Sequence, residues 1–506
     1  MNSAVLTVNG KVLSVADVDP HMSVLDFLRA RALVGTKEGC AEGECGACAV
    51  ILVRPPAEVK GVRGDRAARY VPVNSCLTLV GSVLGSELLT VEGLRPKPGA
   101  LHPVQKAMIA EGGSQCGYCT PGFVVSMFAE YYRSDRPDWD PESLAGNLCR
   151  CTGYRPIKAA MLSLAGAGVE DSDRFLARLR TAPPTLASEG LLQLRRSGDL
   201  RTLLRPTSLD EALTELAADP ETKVVAGGTD VVVQINQSGA RWAKILALEA
   251  VSELQIMTFE ADWIEIGAGV SLSDLEHRLA GALPLLDALF PLFSSRLIRN
   301  RATLGGNLAN ASPIGDSPPV LLALDAELIL ASKARGRRSV ALDAFFSGYR
   351  QTVLAVDELI VAIRIPRRAP TLARFYKVSK RVLDDISTVA AGFALDLDAD
   401  GSITRARLAF GGVAATPLRA RDAEVALLGR PWNAQTVALV APLLGQTFSP
   451  MDDHRGSARY RRAMVGRLFE KFLAETTGSG APIGPRPPSA IQTLQTLQTL
   501  PTEQRS

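Results

Sequence analysis

Gly39-Cys40-Ala41-Glu42-Gly43-Glu44-Cys45-Gly46-Ala47-Cys48 packs three thiols and three glycines into ten residues. The spacing is Cys-x4-Cys-x2-Cys, and Cys76 supplies a fourth sulfur further along. That is the ligand pattern of a plant-type [2Fe–2S] cluster. Such a cluster needs a loop whose backbone N–H groups turn toward the sulfides, and glycine permits the dihedrals this wrapping demands. A second group, Cys116-x2-Cys119 followed by Cys149-x-Cys151, again provides four thiols. All eight cysteines of the 506-residue chain fall within its first 151 positions.

Two other uses of eight thiols compete. Four disulfides would belong to an exported protein, but residues 1–17 show no basic segment followed by an apolar run and a cleavage site, so no signal peptide is expected. Two zinc sites are the stronger rival, because paired Cys-x2-Cys motifs often bind zinc. The glycine content of the first loop and the tight Cys149-x-Cys151 pair favour clusters over zinc. Eight thiolates arranged for two clusters point to electron transfer.

The length implies three or four domains. A net charge of +3 gives no argument for nucleic acid or for an acidic membrane surface. No uncharged apolar run approaches the roughly 18–20 residues that span a bilayer, and a cytoplasmic location is expected. The four histidines, His21, His102, His277 and His454, are scattered and show no metal-binding spacing. There is neither a G-x-S-x-G elbow nor a P-loop. Hydrolytic and phosphoryl-transfer chemistry have no candidate residues.

Local patterns outline the architecture. Segments 5–8 and 12–15 read as strands joined at Asn9-Gly10, a preferred two-residue hairpin turn. Ser23 caps a helix over 24–28, and 49–53 is an apolar strand. These elements around a cluster loop predict a β-grasp. From His102 the pattern becomes helical, with segments 103–109, 121–132, 141–148 and 156–164, each with proline at or near its start. A four-helix bundle holding the second cluster in its loops is expected. The fold class is thus multidomain α+β: a β-grasp [2Fe–2S] ferredoxin domain (1–90), a four-helix-bundle [2Fe–2S] domain (91–166), a linker (167–200), a non-Rossmann α+β FAD-binding domain (201–370), its C-terminal α+β subdomain (371–476) and a low-complexity tail (477–506). The helix near the C-terminus, 459–473, is basic and amphipathic; a solvated face is its simplest reading, a partner-docking face the alternative.

The flavin expectation rests on three segments. Val224-Val225-Ala226-Gly227-Gly228-Thr229-Asp230-Val231 runs from a strand into a Gly-Gly turn that lets backbone N–H groups approach a pyrophosphate. By itself it is also an ordinary turn. Gly267-Ala268-Gly269 follows a strand too, but Leu272 stands where a dinucleotide fingerprint needs its third glycine. The run Thr303-Leu304-Gly305-Gly306-Asn307-Leu308-Ala309-Asn310-Ala311-Ser312-Pro313-Ile314-Gly315-Asp316 gathers hydrogen-bonding groups that a large polar cofactor would use. Phe375-Tyr376-Lys377-Val378-Ser379-Lys380-Arg381 with Asp384-Asp385 is either a solvated charged turn or part of the same site.

Together the motifs resemble the xanthine dehydrogenase family of molybdenum hydroxylases, in the form of the smaller, iron–sulfur/FAD subunit of a bacterial two-subunit enzyme. Besides the first cysteine loop, the likeness is carried by Gln115-Cys116-Gly117-Tyr118-Cys119-Thr120-Pro121-Gly122 and Asn147-Leu148-Cys149-Arg150-Cys151-Thr152-Gly153-Tyr154. It implies one cluster on Cys40, Cys45, Cys48 and Cys76 and a second on Cys116, Cys119, Cys149 and Cys151, with Gln115 next to the pterin. FAD would be held by Val224, Val225, Ala226, Gly227, Gly228, Thr229, Asp230, Val231, Phe293, Thr303, Leu304, Gly305, Gly306, Asn307, Asp316, Ile360 and Lys377. Arg381 and Asp384 fall on the loop near the flavin, although Val382-Leu383 departs from animal relatives. The implied activity is transfer of electrons from a partner's molybdenum centre through both clusters to FAD and then NAD, as hypoxanthine and xanthine are oxidised to urate. No catalytic residue of substrate oxidation is expected in this chain. The implied assembly is an (αβ)2 heterotetramer with a larger molybdopterin-binding subunit. Aldehyde, nicotinate and carbon monoxide dehydrogenases share these modules, and a stand-alone iron–sulfur flavoprotein carrier or a zinc-organised interaction protein are the readings from other classes.

Overall fold

The structure is a computed structural model that describes residues 4–56, 66–134, 139–184, 191–196, 198 and 200–478. The low-complexity tail lies outside these, apart from its first two residues. Strands β1 (Val5–Val8) and β2 (Lys11–Ser14) form the expected hairpin, with Asn9 at φ 51° and Gly10 at φ 80°. Ser23 accepts a bond from the Asp26 N–H and starts α1 (Val24–Arg29). With β3 (Ala49–Arg54), β4 (Arg69–Asn74) and β5 (Glu87–Leu89) the sheet order is β2-β1-β5-β3-β4, β1 and β5 running parallel. The first cysteine loop connects α1 to β3, and Cys76 sits in a 3-10 turn, Ser75–Leu77, directly after β4.

Next come α2 (Pro103–Ala110), α3 (Thr120–Tyr131) and α4 (Arg155–Ser163). His102 and Gln105 make a reciprocal capping box at the start of α2, with Pro103 at the first helical position. The third expected helical segment is only a 3-10 turn, Pro141–Leu144. The residues that would have continued the helix pack elsewhere. Gly146 and Asn147 press against the first cysteine loop, and helical geometry would pull them off it. The stretch read as a linker carries α5 (Arg174–Leu179), whose Phe175 and Leu179 are buried in the helical core, and β6 (Leu192–Leu194).

The flavin half opens with β7 (Thr202–Arg205), α6 (Leu209–Ala218), β8 (Lys223–Val225), α7 (Val231–Ser238) and β9 (Lys244–Ala247). Their sheet, β6-β7-β9-β8, is parallel except for β6. A second, antiparallel sheet follows, built of β10 (Met257–Phe259), β11 (Trp263–Gly267), β12 (Glu327–Ser332), β13 (Gly336–Ala341) and β16 (Glu358–Pro366) in the order β10-β11-β16-β12-β13. A two-stranded ribbon of β14 (Phe346–Gly348) and β15 (Gln351–Thr352) precedes β16. Between β11 and β12 lie α8 (Leu272–Leu279), α9 (Pro284–Leu289), α10 (Arg296–Arg299), α11 (Leu304–Ala309) and α12 (Ser317–Ala323).

The last part is an antiparallel sheet, β17 (Leu372–Val378), β18 (Val389–Leu397), β19 (Ile403–Gly411) and β20 (Leu418–Arg419), covered by α13 (Arg421–Leu427), α14 (Ala434–Thr447) and α15 (Ala458–Thr477). The helix α15 is amphipathic, with Arg459, Arg462 and Arg467 exposed on its solvated face. Val465, Leu468, Phe469 and Phe472 are buried against Phe393 and Trp432, and Arg461 is itself buried, donating to the Thr388 and Gly412 carbonyls. Among the described residues no helix is long and apolar enough to cross a membrane.

Candidate functional site

The site is a series of three stations. At the first, Ala41, Gly43 and Gly46 adopt φ of 57°, 88° and 64°, left-handed values that curl the loop around its own centre. Gly39 is required by proximity, since a Cβ there would lie 2.6 Å from the Cys45 sulfur. Asn74 donates to the Gly43 carbonyl at 2.7 Å and the Ser75 hydroxyl to the Cys48 carbonyl at 2.6 Å, which fixes the loop on β4.

No cysteine of the chain is in a disulfide. The thiols instead meet in pairs. Cys48 and Cys76 sulfurs are 3.3 Å apart, and Cys40 contacts Cys45. Contact with Cys45 draws the Cys40 thiol down to about 5 and pushes Cys45 far up in return. At the second station Cys116 contacts Cys151, and Cys119 contacts Cys149. Two sulfurs per iron and two irons per group is the donor set of a [2Fe–2S] cluster. The paired thiols, four in each group, fit two two-iron clusters. The second station is open to solvent: Cys116, Cys151, Gln115, Tyr118, Leu148 and Tyr154 are all exposed.

The stations interlock. The Leu148 N–H, one residue before Cys149, donates to the carbonyl of Cys45 at 3.0 Å. Asn147, buried, donates to the Gly46 carbonyl at 3.1 Å and accepts from Ser126 at 2.7 Å. A Cβ on Gly46 would stand 2.2 Å from the Gly146 oxygen, and one on Gly122 2.2 Å from the Gly46 oxygen. Gly46 and Gly122 thus let the two cysteine loops touch through their backbones.

The third station is a cavity of about 520 Å³ whose wall includes Glu42, Gly43 and Glu44 of the first cysteine loop. That volume lies within the roughly 300–1,000 Å³ range of cofactor pockets. Of the residues expected to hold FAD, Val224, Ala226 to Val231, Phe293, Thr303, Gly305, Gly306, Asn307, Asp316 and Ile360 line it. Val225 and Leu304 are buried behind the lining. Lys377 stands one shell back, donating to Asp316 at 2.7 Å and to the Leu292 carbonyl at 2.7 Å, while Ser387 donates to the other Asp316 oxygen at 2.5 Å. Gln115 lies beside Cys116 on the surface, away from the cavity wall.

Local chemistry explains the lining. Thr303 caps α11 by accepting from Gly306 at 3.0 Å, and Gly228 takes φ 81° between β8 and α7. Gly227 leaves no space for a side chain, since a Cβ would lie 1.9 Å from the Arg301 oxygen. Burial raises the Asp230 carboxyl, and it raises Asp384 to about 6 against a 3.0 Å bond from Ser294. Arg381 reaches Glu44 at 3.8 Å, so the 381–385 loop lies beside the first cysteine loop. Sequence reasoning does not find Glu42 to Glu44 or Ala268-Gly269 as cavity walls. Ala268-Gly269 does carry a signal, a glycine after a strand, but its pattern matches only a broken dinucleotide fingerprint.

Four family models match in succession: a 2Fe-2S iron-sulfur cluster binding domain over 6–81, a [2Fe-2S] binding domain over 90–162, an FAD binding domain in molybdopterin dehydrogenase over 197–368, and a CO dehydrogenase flavoprotein C-terminal domain over 374–476. A xanthine dehydrogenase of Drosophila subobscura is 33% identical over 528 residues, covering 93% of this chain and 39% of its own length. Xanthine dehydrogenase 1 of Arabidopsis thaliana is 29% identical over 542 residues, with coverage of 93% and 39%. The chain thus spans about two fifths of these relatives. Among solved structures, a carbon monoxide dehydrogenase chain from Hydrogenophaga pseudoflava superposes with a TM-score of 0.51 at 31% identity, covering 53% of this chain and 93% of that one. A quinoline 2-oxidoreductase chain from Pseudomonas putida 86 gives 0.50 at 29%, covering 53% and 94%. Two [2Fe–2S] domains joined to a flavin domain place this chain in the molybdenum hydroxylase family, as an electron-transfer module of its oxidoreductases.

Proposed function

We propose that this chain is the iron–sulfur/FAD subunit of a xanthine dehydrogenase, working with a larger molybdopterin-binding chain in an (αβ)2 assembly, with NAD as the acceptor. The observation that carries this reading is the unbroken series of stations. The Cys45 carbonyl meets the residue preceding Cys149, and the residues between Cys40 and Cys45 wall the flavin cavity.

In this reading Cys40 with Cys45, and Cys48 with Cys76, hold the two irons of the inner cluster. Cys116 with Cys151, and Cys119 with Cys149, hold those of the outer one. The exposed surface around Cys116, Tyr118 and Tyr154 faces the partner's molybdenum centre, with Gln115 toward the pterin. When bound, FAD takes up electrons singly and gives them up as a pair in hydride form. The chain's own residues prepare that exchange. The glycine loop 227–228 offers backbone N–H groups to the pyrophosphate, Phe293 and Ile360 supply apolar surface for rings, and Asp316, oriented by Lys377 and Ser387, accepts hydrogen bonds beside them.

The purine substrate is favoured over the carbon monoxide and N-heterocycle alternatives by the way the modules are joined. The carbon monoxide and quinoline enzymes' matching chains correspond to only about half of this one, whereas the xanthine dehydrogenases match across both halves. The test is a reconstitution. The chain alone, loaded with iron and FAD, should pass electrons from NADH to a dye yet leave xanthine untouched. With its molybdopterin partner it should oxidise xanthine and reduce NAD. Xanthine oxidation by the isolated chain, or a partnered enzyme active on quinoline or carbon monoxide but not on purines, contradicts the assignment.

A further inference from the structure

Behind the glycine loop lies a second cavity, of about 510 Å³, between the β-grasp sheet and the flavin domain. Its charged lining consists of Arg54, Arg69, Arg278 and Arg301 with Glu249 and Asp274. Most of this charge is committed. Asp274 pairs with Arg69. One oxygen of Glu249 takes Arg301 at 2.5 Å, and Arg301 also donates to the Gly227 carbonyl at 3.3 Å and to Ser82 at 3.2 Å. Arg278 donates to the Gln255 carbonyl at 2.9 Å.

Two groups remain. The Arg54 guanidinium has no hydrogen bond or ion pair among the described residues; Arg301, Arg205 and Arg69 act on it as like charges and Glu249 as an opposite one. Burial, followed by repulsion from Arg301, lowers its pKa to about 10. The other group is Glu249 Oε2, buried and without a partner. Just behind, the buried Arg205 leaves its Nε without a partner as well. Arg54, only partly buried, offers a fork of donors that no protein group takes, while the buried Glu249 oxygen, left unmatched, is costly unless a donor meets it.

The two needs are contradictory for most anions. Sulfate or chloride would suit Arg54 but would face Glu249 Oε2 with another full negative charge. The pyrophosphate of FAD has no P–OH group to offer that oxygen. We propose that this cavity binds a phosphate group that keeps one proton, its bare oxygens accepting from Arg54 and its P–OH donating to Glu249 Oε2. The group is either free phosphate or a phosphate monoester, and the site is separate from the flavin cavity. The two cavities share the Ala226, Gly227 and Thr303 wall, so occupancy of one touches the backbone that shapes the other.

The experiment uses the full chain carrying iron and FAD, titrated calorimetrically near pH 6.5 at constant ionic strength with inorganic phosphate, sulfate and AMP. Phosphate should bind saturably, one per chain, and sulfate at least tenfold more weakly. Arg54→Gln should abolish phosphate binding while keeping its full complement of FAD and iron, and Arg54→Lys should recover part of it. AMP competing with phosphate assigns the natural ligand to monoesters; AMP failing to compete assigns it to free phosphate. Should Arg54→Gln lose its cofactors, the phosphate-to-sulfate ratio of the unaltered chain decides alone. Absence of saturable phosphate binding, equal binding of sulfate, or unchanged binding by a cofactor-complete Arg54→Gln overturns the assignment.

Discussion

Gly227 is the residue at which the flavin cavity is most exposed to a single atom. A methyl group would have to occupy a point 1.9 Å from the Arg301 carbonyl oxygen, which is backbone, in a residue whose guanidinium is anchored to the Gly227 carbonyl and to Glu249. Gly227→Ala must therefore move the loop. We expect FAD retention to fall at least ~10-fold, about 1.4 kcal/mol of binding, with iron content unchanged; flavin absorbance after gel filtration checks it. Glu358 gives a different, pH-dependent outcome. Its carboxylate is almost wholly buried, takes two 2.7 Å bonds from Arg338 and one from the Ala355 N–H, and is pulled down to about 2 mainly by Arg338. A depressed acid stabilises the fold above its unfolded pKa and loses that contribution as pH falls toward the folded value. Glu358→Gln should cost roughly 2 kcal/mol near neutrality, in the range for hydrogen bonds to charged groups. In denaturant melts the penalty should shrink steadily below about pH 4. A penalty that stays constant down to about pH 2.5 would refute the role given to Arg338.

At the scale of elements, the contact between the two cysteine loops depends on a turn where local rules predict a helix. The run from Pro141 has proline at its start and no obvious break before Gly146. What overrides those rules is non-local: Asn147 must reach the Gly46 carbonyl, 101 positions earlier in the chain. Pattern reading cannot see such a partner. Short-range chemistry is far more legible. The Asn9-Gly10 turn, the Ser23 cap and the proline starts of α2 and α4 are all readable because each depends on residues within a few positions. The same division holds at the site, where the cysteine groups announce themselves by spacing. Glu42 to Glu44 as a wall of the flavin cavity, and Lys377 standing behind Asp316, emerge only when the domains pack. Asn147→Ala should leave the Gly46 carbonyl and Ser126 hydroxyl without their partner, costing roughly 1–3 kcal/mol. It should also weaken the magnetic coupling between the two reduced clusters in EPR spectra. An unchanged coupling with both clusters present would show that Asn147 does not set their separation.

Across the whole molecule, the cysteines, the glycines that let loops touch and the cavity behind them lie in one continuous path from the exposed second cysteine group to the flavin cavity. The helix α15, basic and amphipathic by sequence, keeps Arg459, Arg462 and Arg467 in solvent and closes the core of the last domain with Val465, Phe469 and Phe472. The candidate docking surface is at the opposite end of the path, around Cys116, Tyr118 and Tyr154. Both cluster assignments and the electron path stand on the pairing of eight thiols over iron. The direct measurement is metal and acid-labile sulfide content of the anaerobically purified full chain, with EPR after reduction. The account predicts about four iron and four sulfide per chain, one FAD, and two distinguishable [2Fe–2S] signals. Zinc in place of iron, or iron without labile sulfide, would contradict it.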